Sequence, residues 1–212
     1  MTPIRDAYLI AADSAVALIN EDAVATAWAG KSSLEGFTNG GLAAHLAGQI
    51  FSVRFAVVRE QPDLELVPLL GLYERATWVN ADLDADINVS IRGKGESAAA
   101  DGPGALRNEV GEALAEIREL LPAQPDERLA PVPAGPWLLT LDDFLVTRMM
   151  EIAVHSDDLA CGLGLATPEL PSNVLDPVLD LLTKLSMRRH GQAALLRALT
   201  RAERAPESVT AF

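Results

Sequence analysis

Residues 140–161 read TLDDFLVTRMMEIAVHSDDLAC, and the placement of polar side chains in this stretch decides how the rest of the chain is read. Thr140 stands where it can cap a helix, and Asp142 and Asp143 put negative charge in the first turn, where the helix dipole favours it. No glycine or proline interrupts the run before Gly162, so the helix is expected to stop there. At about 100° per residue, Phe144, Arg148, Glu151, His155 and Asp158 fall within roughly 80° of one another, a single stripe down one side. Leu145, Val146, Met149, Met150, Ile152, Ala153, Val154, Leu159 and Ala160 cover most of the remaining circumference. A helix that is apolar nearly all round is buried, and its ionisable stripe must then face partners inside the protein.

A buried carboxylate and imidazole one turn apart are costly unless they are paired, hydrogen-bonded or bound to a metal. Glu151 and His155, at i and i+4, can aim two ligand atoms at one ion, which is why metal sites use this spacing on a helix. Spacing alone leaves the plain alternative standing, an ordinary helix-face or core ion pair.

Composition narrows the classes. At 212 residues, with 49% hydrophobic and 22% charged residues, the chain is long enough for one good core. Neither an apolar run of membrane-spanning length nor a signal-like N-terminus is evident, so a cytoplasmic protein with no membrane partner is expected. The lone Cys161 excludes an intramolecular disulfide and a cysteine-cluster zinc site, leaving imidazole and carboxylate as metal ligands. A net charge of −13 repels phosphate backbones and argues against nucleic acid as a partner. The exception is the run from Lys184 to Arg204, where Lys184, Arg188, Arg189, Arg197, Arg201 and Arg204 face one acid, Glu203. It reads as a solvated basic helix face or as an anion receptor for a carboxylate substrate, with Arg197 and Arg201 the candidate binders.

Along the chain, Ile4 to about Ala27 is expected to form one helix, with an apolar stripe of Tyr8, Leu9, Ala12, Ala15, Val16 and Ile19. A glycine-rich loop follows, and Thr38 or Asn39 caps a second helix to about Glu60 that carries His45, with Gln49 and Ser52 on the same side. Asp82, Asp84 and Asp86 suggest a turn or helix start before a short segment near Ile91. A third helix starts at Asp101-Gly-Pro-Gly, carries Leu106, Val110, Leu114, Ile117, Leu120 and Leu121, and ends at Pro122. A proline-rich crossover with a short edge strand near Leu138 leads into the helix that opened this reading. Two more helices, Val174 to Met187 and Gln192 to Glu203, complete the chain. The expectation is a mainly α protein, a four-helix bundle over residues 1–165 with a small C-terminal helical extension over 166–212, set over the mouth of the bundle.

Of the three histidines, His45 and His155 lie on apolar helices, whereas His190, among Arg188, Arg189 and Gly191, reads as a surface residue. One ion would satisfy His45, Glu151 and His155 together. Two imidazoles and a carboxylate leave positions open for water or substrate, as catalytic metal sites do. Trp28 and Trp137 read as anchors in core or loop, and Cys161 as a small packed side chain.

FTNGGLAAHLAGQIF (37–51), with Trp28 and Ser32-Ser33 upstream, resembles the first motif of the DinB-like metalloprotein superfamily. Together with TRMMEIAVHSDDLA (147–160) it resembles more narrowly the mycothiol-dependent maleylpyruvate isomerase group, and HGQAALLRALTRAERAPESVTAF (190–212) is similar to the tail of many of its members. The resemblance implies a DinB-like bundle in which His45, Glu151 and His155 ligate zinc, or another divalent metal. It implies an enzyme that activates mycothiol, or a similar low-molecular-weight thiol, for isomerisation or S-transfer on a small electrophile. Arg148 would then bind a substrate carboxylate or orient Glu151, and Asp158 would accept the free N–H of a ligating histidine, unless the two form a structural salt bridge. A metal-dependent hydrolase and a non-catalytic metal-binding protein on the same bundle are the alternatives, and a homodimer is compatible with the resemblance.

Overall fold

The computed structural model describes residues 1–79, 81–133 and 135–212. Helix α1 (Pro3–Ile19) starts with Pro3 in its first turn and the Thr2 side chain accepting from the Arg5 backbone N–H. A five-residue helix, α2 (Asp22–Thr26), follows, so the single helix expected to about Ala27 is broken at Asn20 and Glu21. The cause is tertiary. Arg107, on helix α6 (Gly102–Leu120), donates to the carbonyls of Ile19 at 3.3 Å and Glu21 at 2.8 Å, accepting the chain's departure from the helix there.

Helix α3 (Asn39–Val58) is capped by the Thr38 side chain, and helix α7 (Leu141–Leu163) by Thr140, which accepts from the Asp143 N–H at 3.1 Å. Helix α7 runs through Gly162 and ends on Gly164, whose φ of +67° is the left-handed conformation that glycine adopts freely. Gly162 answers a different need. A Cβ there would lie 2.9 Å from the Ser33 backbone N, so the missing side chain lets the 31–38 loop lie against the helix.

Helices α1, α3, α6 and α7 pack around one apolar core, in which Tyr8, Ile19, Leu42, Leu46, Ile50, Ile117 and Phe144 are essentially inaccessible. Each such burial removes enough apolar surface to contribute about 1.5–3 kcal/mol. Helix α3 is also long and apolar enough to cross a membrane, which the sequence reading did not anticipate. Most of its surface is covered instead by α1, α5 (Asp86–Ala98), α6 and α7, with Phe55 and Val58 near its end exposed. The segment near Ile91, expected to be short, is therefore the 13-residue helix α5 on the flank of α3.

The chain termini of the bundle helices are tied by a buried charge. Arg5 is 1% exposed, donates to the carbonyls of Gln124 at 2.6 Å and Pro125 at 2.9 Å, and pairs with Asp142 at 3.4 Å. Asp142 thus serves α7 twice, through the helix dipole and through Arg5.

A small sheet closes one side. Strand β1 (Glu65–Leu66) runs parallel to β3 (Trp137–Thr140), with Leu66 opposite Leu138, and β2 (Leu129–Pro131) is antiparallel to β3, with Ala130 opposite Leu139. The strand at Leu138 is the central one of three, not an edge. Helix α4 (Leu69–Arg75) follows β1.

Helix α8 (Ser172–His190) inserts Val174, Val178, Leu181 and Leu185 into the bundle's own core and packs on α7 and α1. Helix α9 (Gln192–Thr200) packs on α8 and buries no residue fully, and a 3-10 turn over Ala202–Arg204 succeeds it. The tail then returns along α8: Ser186 Oγ donates to the Val209 carbonyl at 2.6 Å, and the Phe212 ring packs against Trp78 at a 53° tilt, with centroids 5.0 Å apart.

Candidate metal centre

The position of His45 is set by the start of α3. Thr38 Oγ accepts from the Gly41 N–H at 2.9 Å and donates to the Glu96 carboxylate, which also accepts the Thr38 N–H at 2.8 Å, so α5 fixes the cap. Asn39 Nδ2 donates to the Ala27 carbonyl and the Gly40 N–H to the Trp28 carbonyl. Gly40 and Gly41 are needed for close approach. A Cβ on Gly40 would lie 2.5 Å from the Trp28 indole, and one on Gly41 would collide with the Glu96 carboxylate. The motif Thr38-Asn39-Gly40-Gly41 is therefore a docking device that holds one end of α3 against Trp28 and α5.

From there the helix carries His45 to α7. Glu151 Oε2 lies 3.1 Å from His155 Nε2 and 3.8 Å from His45 Nε2. The two imidazoles meet edge to face, with centroids 4.7 Å apart and planes at 83°, and the Phe37 ring lies 5.8 Å from His45. The side chains of His45, Glu151 and His155 are 22%, 18% and 15% exposed, shielded yet reachable. Asp158 Oδ2 stands 2.9 Å from His155 Nδ1, on the far side of the ring from Glu151.

These contacts set the protonation of the metal-free site. Burial alone would lower the pKa of His155, but its hydrogen bonds to Asp158 and Glu151 outweigh burial and push it up to about 9. Burial alone would raise that of Glu151. The two histidines and the Arg148 charge more than offset it and hold the carboxyl well below its usual range.

One ligand atom from each of His45, Glu151 and His155 lies within 4.8 Å of the others. Ligands at about 2.0–2.2 Å around a tetrahedral zinc stand roughly 3.3 Å apart, so the 3.1 and 3.8 Å separations bracket what a zinc ion would ask for. With Nδ1 of His155 engaged by Asp158, Nε2 is the nitrogen left for an ion, the carboxylate–histidine arrangement typical of metal ligands. The residues present fit a divalent metal.

Arg148 and Asp158 do not pair with each other among the described residues. Arg148 donates from Nη1 to Gln49 Oε1 at 2.6 Å and from Nε to Thr147 Oγ at 3.0 Å, and its guanidinium lies 5.2 Å from the Phe144 ring centre. Gln49, placed on the His45 side of α3 by sequence, was not assigned this contact by sequence reasoning. Nor was Tyr73. This residue of α4 is 7% exposed, its phenol pushed up first by burial and then by the Glu151 charge, so it stands within electrostatic reach of the cluster. No sequence pattern marked its helix, so nothing before the structure pointed to it.

Other expected residues lie elsewhere. Arg197 and Arg201 are exposed, on and just after α9, and among the described residues neither bonds to a side chain near the cluster. Cys161 is exposed rather than packed, because α7 turns that side outward near its end. His190 is half-buried, with Nε2 at 2.9 Å from the Thr210 carbonyl of the returning tail. Trp28 donates to the Ala99 carbonyl at 3.3 Å, an anchoring role.

A family model for the mycothiol maleylpyruvate isomerase N-terminal domain matches residues 9–160, a span that contains His45, Glu151 and His155. Two solved structures are similar in fold. One is described as the mycothiol-dependent maleylpyruvate isomerase, at 16% identity and a TM-score of 0.55. The other is a histidine-to-alanine mutant of that enzyme, at 15% identity and a TM-score of 0.54. In both cases the match covers 89% of this chain and 73% of the other. A search of curated proteins finds no match.

Proposed function

This chain belongs to the mycothiol maleylpyruvate isomerase N-terminal domain family, and on that premise we propose that it is a metal-dependent enzyme that activates a low-molecular-weight thiol, mycothiol or a close analogue, for isomerisation or S-transfer on a small electrophile. The observation that carries this reading is the convergence of His45, Glu151 and His155 from two helices onto one point inside the family-matched span. These three residues would hold the metal, zinc in the first instance. A metal bound there supplies a Lewis-acid position at which a thiol sulfur is stabilised as thiolate near neutral pH, the nucleophile that either reaction requires.

The chain's own residues do the rest. Asp158 accepts from His155 Nδ1 and so fixes the ring and its tautomer, keeping Nε2 turned toward Glu151 and His45. Arg148 spends one Nη1 and its Nε donor on Gln49 and Thr147. Its Nη2 has no hydrogen-bond partner among the described residues, which leaves a positive donor edge beside the cluster to receive a substrate carboxylate. The Phe37 ring, 5.8 Å from that of His45 and itself buried, shields that side of the cluster from water. Metal-assisted hydrolysis that relied on a carboxylate general base would find Glu151 engaged with the histidines and Asp158 with His155.

The test is elemental analysis of untagged protein followed by titration with mycothiol. We expect one zinc per chain, lost in His45→Ala and in His155→Ala, and a thiol-dependent change at the loaded site. No metal after reconstitution would reduce the cluster to a core ion network. Metal without thiol binding would move the reading to a metal-binding protein or a hydrolase.

A further inference from the structure

Gln49 is 4% exposed, and a primary amide is withdrawn from water at a cost unless its donors and acceptor are used. Both ends of this one are used. Nε2 donates to the His45 carbonyl at 2.9 Å, and Oε1 accepts from Arg148 Nη1 at 2.6 Å. Its own carbonyl accepts from the Tyr8 hydroxyl at 3.3 Å. One side chain thus spans the backbone of a proposed metal ligand on α3 and the only arginine in the stripe of α7.

Arg148 and Glu151 are three residues apart on α7, a spacing at which an arginine and a carboxylate on one helix close into an ion pair. No such pair forms here among the described residues, although the Arg148 charge is near enough to act on Glu151. Instead Glu151 turns its Oε2 to the two histidines, and Arg148 turns to α3. A direct pair, with its strong charge-assisted hydrogen bonds, would compete with a metal for the same carboxylate oxygens.

We infer that Gln49 is a positioning residue: its amide oxygen holds the Arg148 guanidinium away from Glu151, and so keeps the carboxylate available to a metal shared with His45 and His155. The inference rests on the metal-centre reading above. Its content is a competition, in which the harm done by losing Gln49 is delivered by Arg148.

The test is zinc affinity, measured by competition with a chromophoric chelator on the full chain. Wild type is measured first. Gln49→Ala is expected to bind zinc about tenfold or more weakly, the scale at which groups behind metal ligands act. Gln49→Glu, which still accepts from Arg148 but gives up the donor to the His45 carbonyl, binds zinc more tightly than Gln49→Ala. The double variant Gln49→Ala/Arg148→Ala recovers the affinity of Arg148→Ala alone, which a fold defect at position 49 would not allow. Gln49→Ala binding like wild type overturns the inference, and so does a double variant weaker than Arg148→Ala alone. If wild type itself binds no zinc, the metal-centre reading falls and the inference with it, an outcome distinct from the other two.

Discussion

Helices α7 and α9 are both largely apolar and both carry an arginine, and the chain treats the two quite differently. In α7, Arg148 is half-buried, hydrogen-bonded to Gln49 and Thr147, and set among Phe144, Glu151 and His155. In α9, Arg197 is exposed, Leu196 and Leu199 are 53% and 72% exposed, and no residue is fully buried. The difference lies in what water is allowed to do. Where the bundle excludes water, each charge must find a partner, and its partners disclose a site; where water remains, a charge needs no partner and discloses nothing.

The sharpest way to break that contrast is to remove apolar volume from each region. Phe144→Ala should destabilise the chain by about 3–5 kcal/mol, because the ring is fully buried and a cavity would remain. Leu199→Ala should stay within about 0.5 kcal/mol of wild type. Denaturant unfolding of both variants checks this, and a comparable loss in the two would mean that α9 is covered by something in solution.

The same contrast explains what could be read from the sequence. The stripe of α7 was legible because apolar residues surround it, and the Thr38 and Thr140 caps because capping is a local act. Features imposed from a distance were not. The break after Ile19 depends on Arg107, the passage of α7 through Gly162 on the Ser33 loop, and the central place of β3 on strands of two and three residues too short to leave a period. His45, Glu151 and His155 could be nominated from spacing and resemblance, whereas the Gln49–Arg148 bond needs the register of α3 against α7, and Tyr73 arrives from a helix that no pattern marked.

Within the site, Asp158→Asn tests whether the outer carboxylate matters to the ion or only to the fold. An amide there would favour the wrong tautomer of His155, and zinc affinity should fall by about 10–100-fold. Chelator competition measures it, and an unchanged affinity would leave Asp158 a surface acceptor and no more.

Acidity offers a smaller effect with a definite sign. In the metal-free protein His155 has its pKa raised from 6.5 to about 9, so its contribution to stability is complete below pH 6.5 and is lost as pH rises through about 9. Glu151, held below its ordinary 4.5, contributes above that value and loses its contribution as pH falls beneath it. Metal-free protein should therefore lose stability between pH 6.5 and 9, and zinc affinity should climb over the same window as His155 gives up the proton that an ion would replace. Thermal melts with and without zinc at pH 6.5, 7.5 and 9 separate the two curves. A flat metal-free curve would mean that Asp158 and Glu151 do not hold that proton.

The smallest effects belong to the basic extension. Arg197→Ala and Arg201→Ala should shift stability by no more than about 0.5 kcal/mol and leave zinc affinity unchanged, since both side chains are exposed and, among the described residues, the Arg201 guanidinium donates only to the carbonyl of its neighbour Thr200. Thiol binding is the more demanding measurement. A flexible, hydrated arginine contributes to anion capture only if a ligand brings it to the site, so a loss of mycothiol affinity in either variant, with zinc retained, would move α9 from the solvated class to the working one. Equal affinity in all three proteins would leave Arg148, the arginine that the bundle does constrain, as the cation available to a carboxylate at the centre.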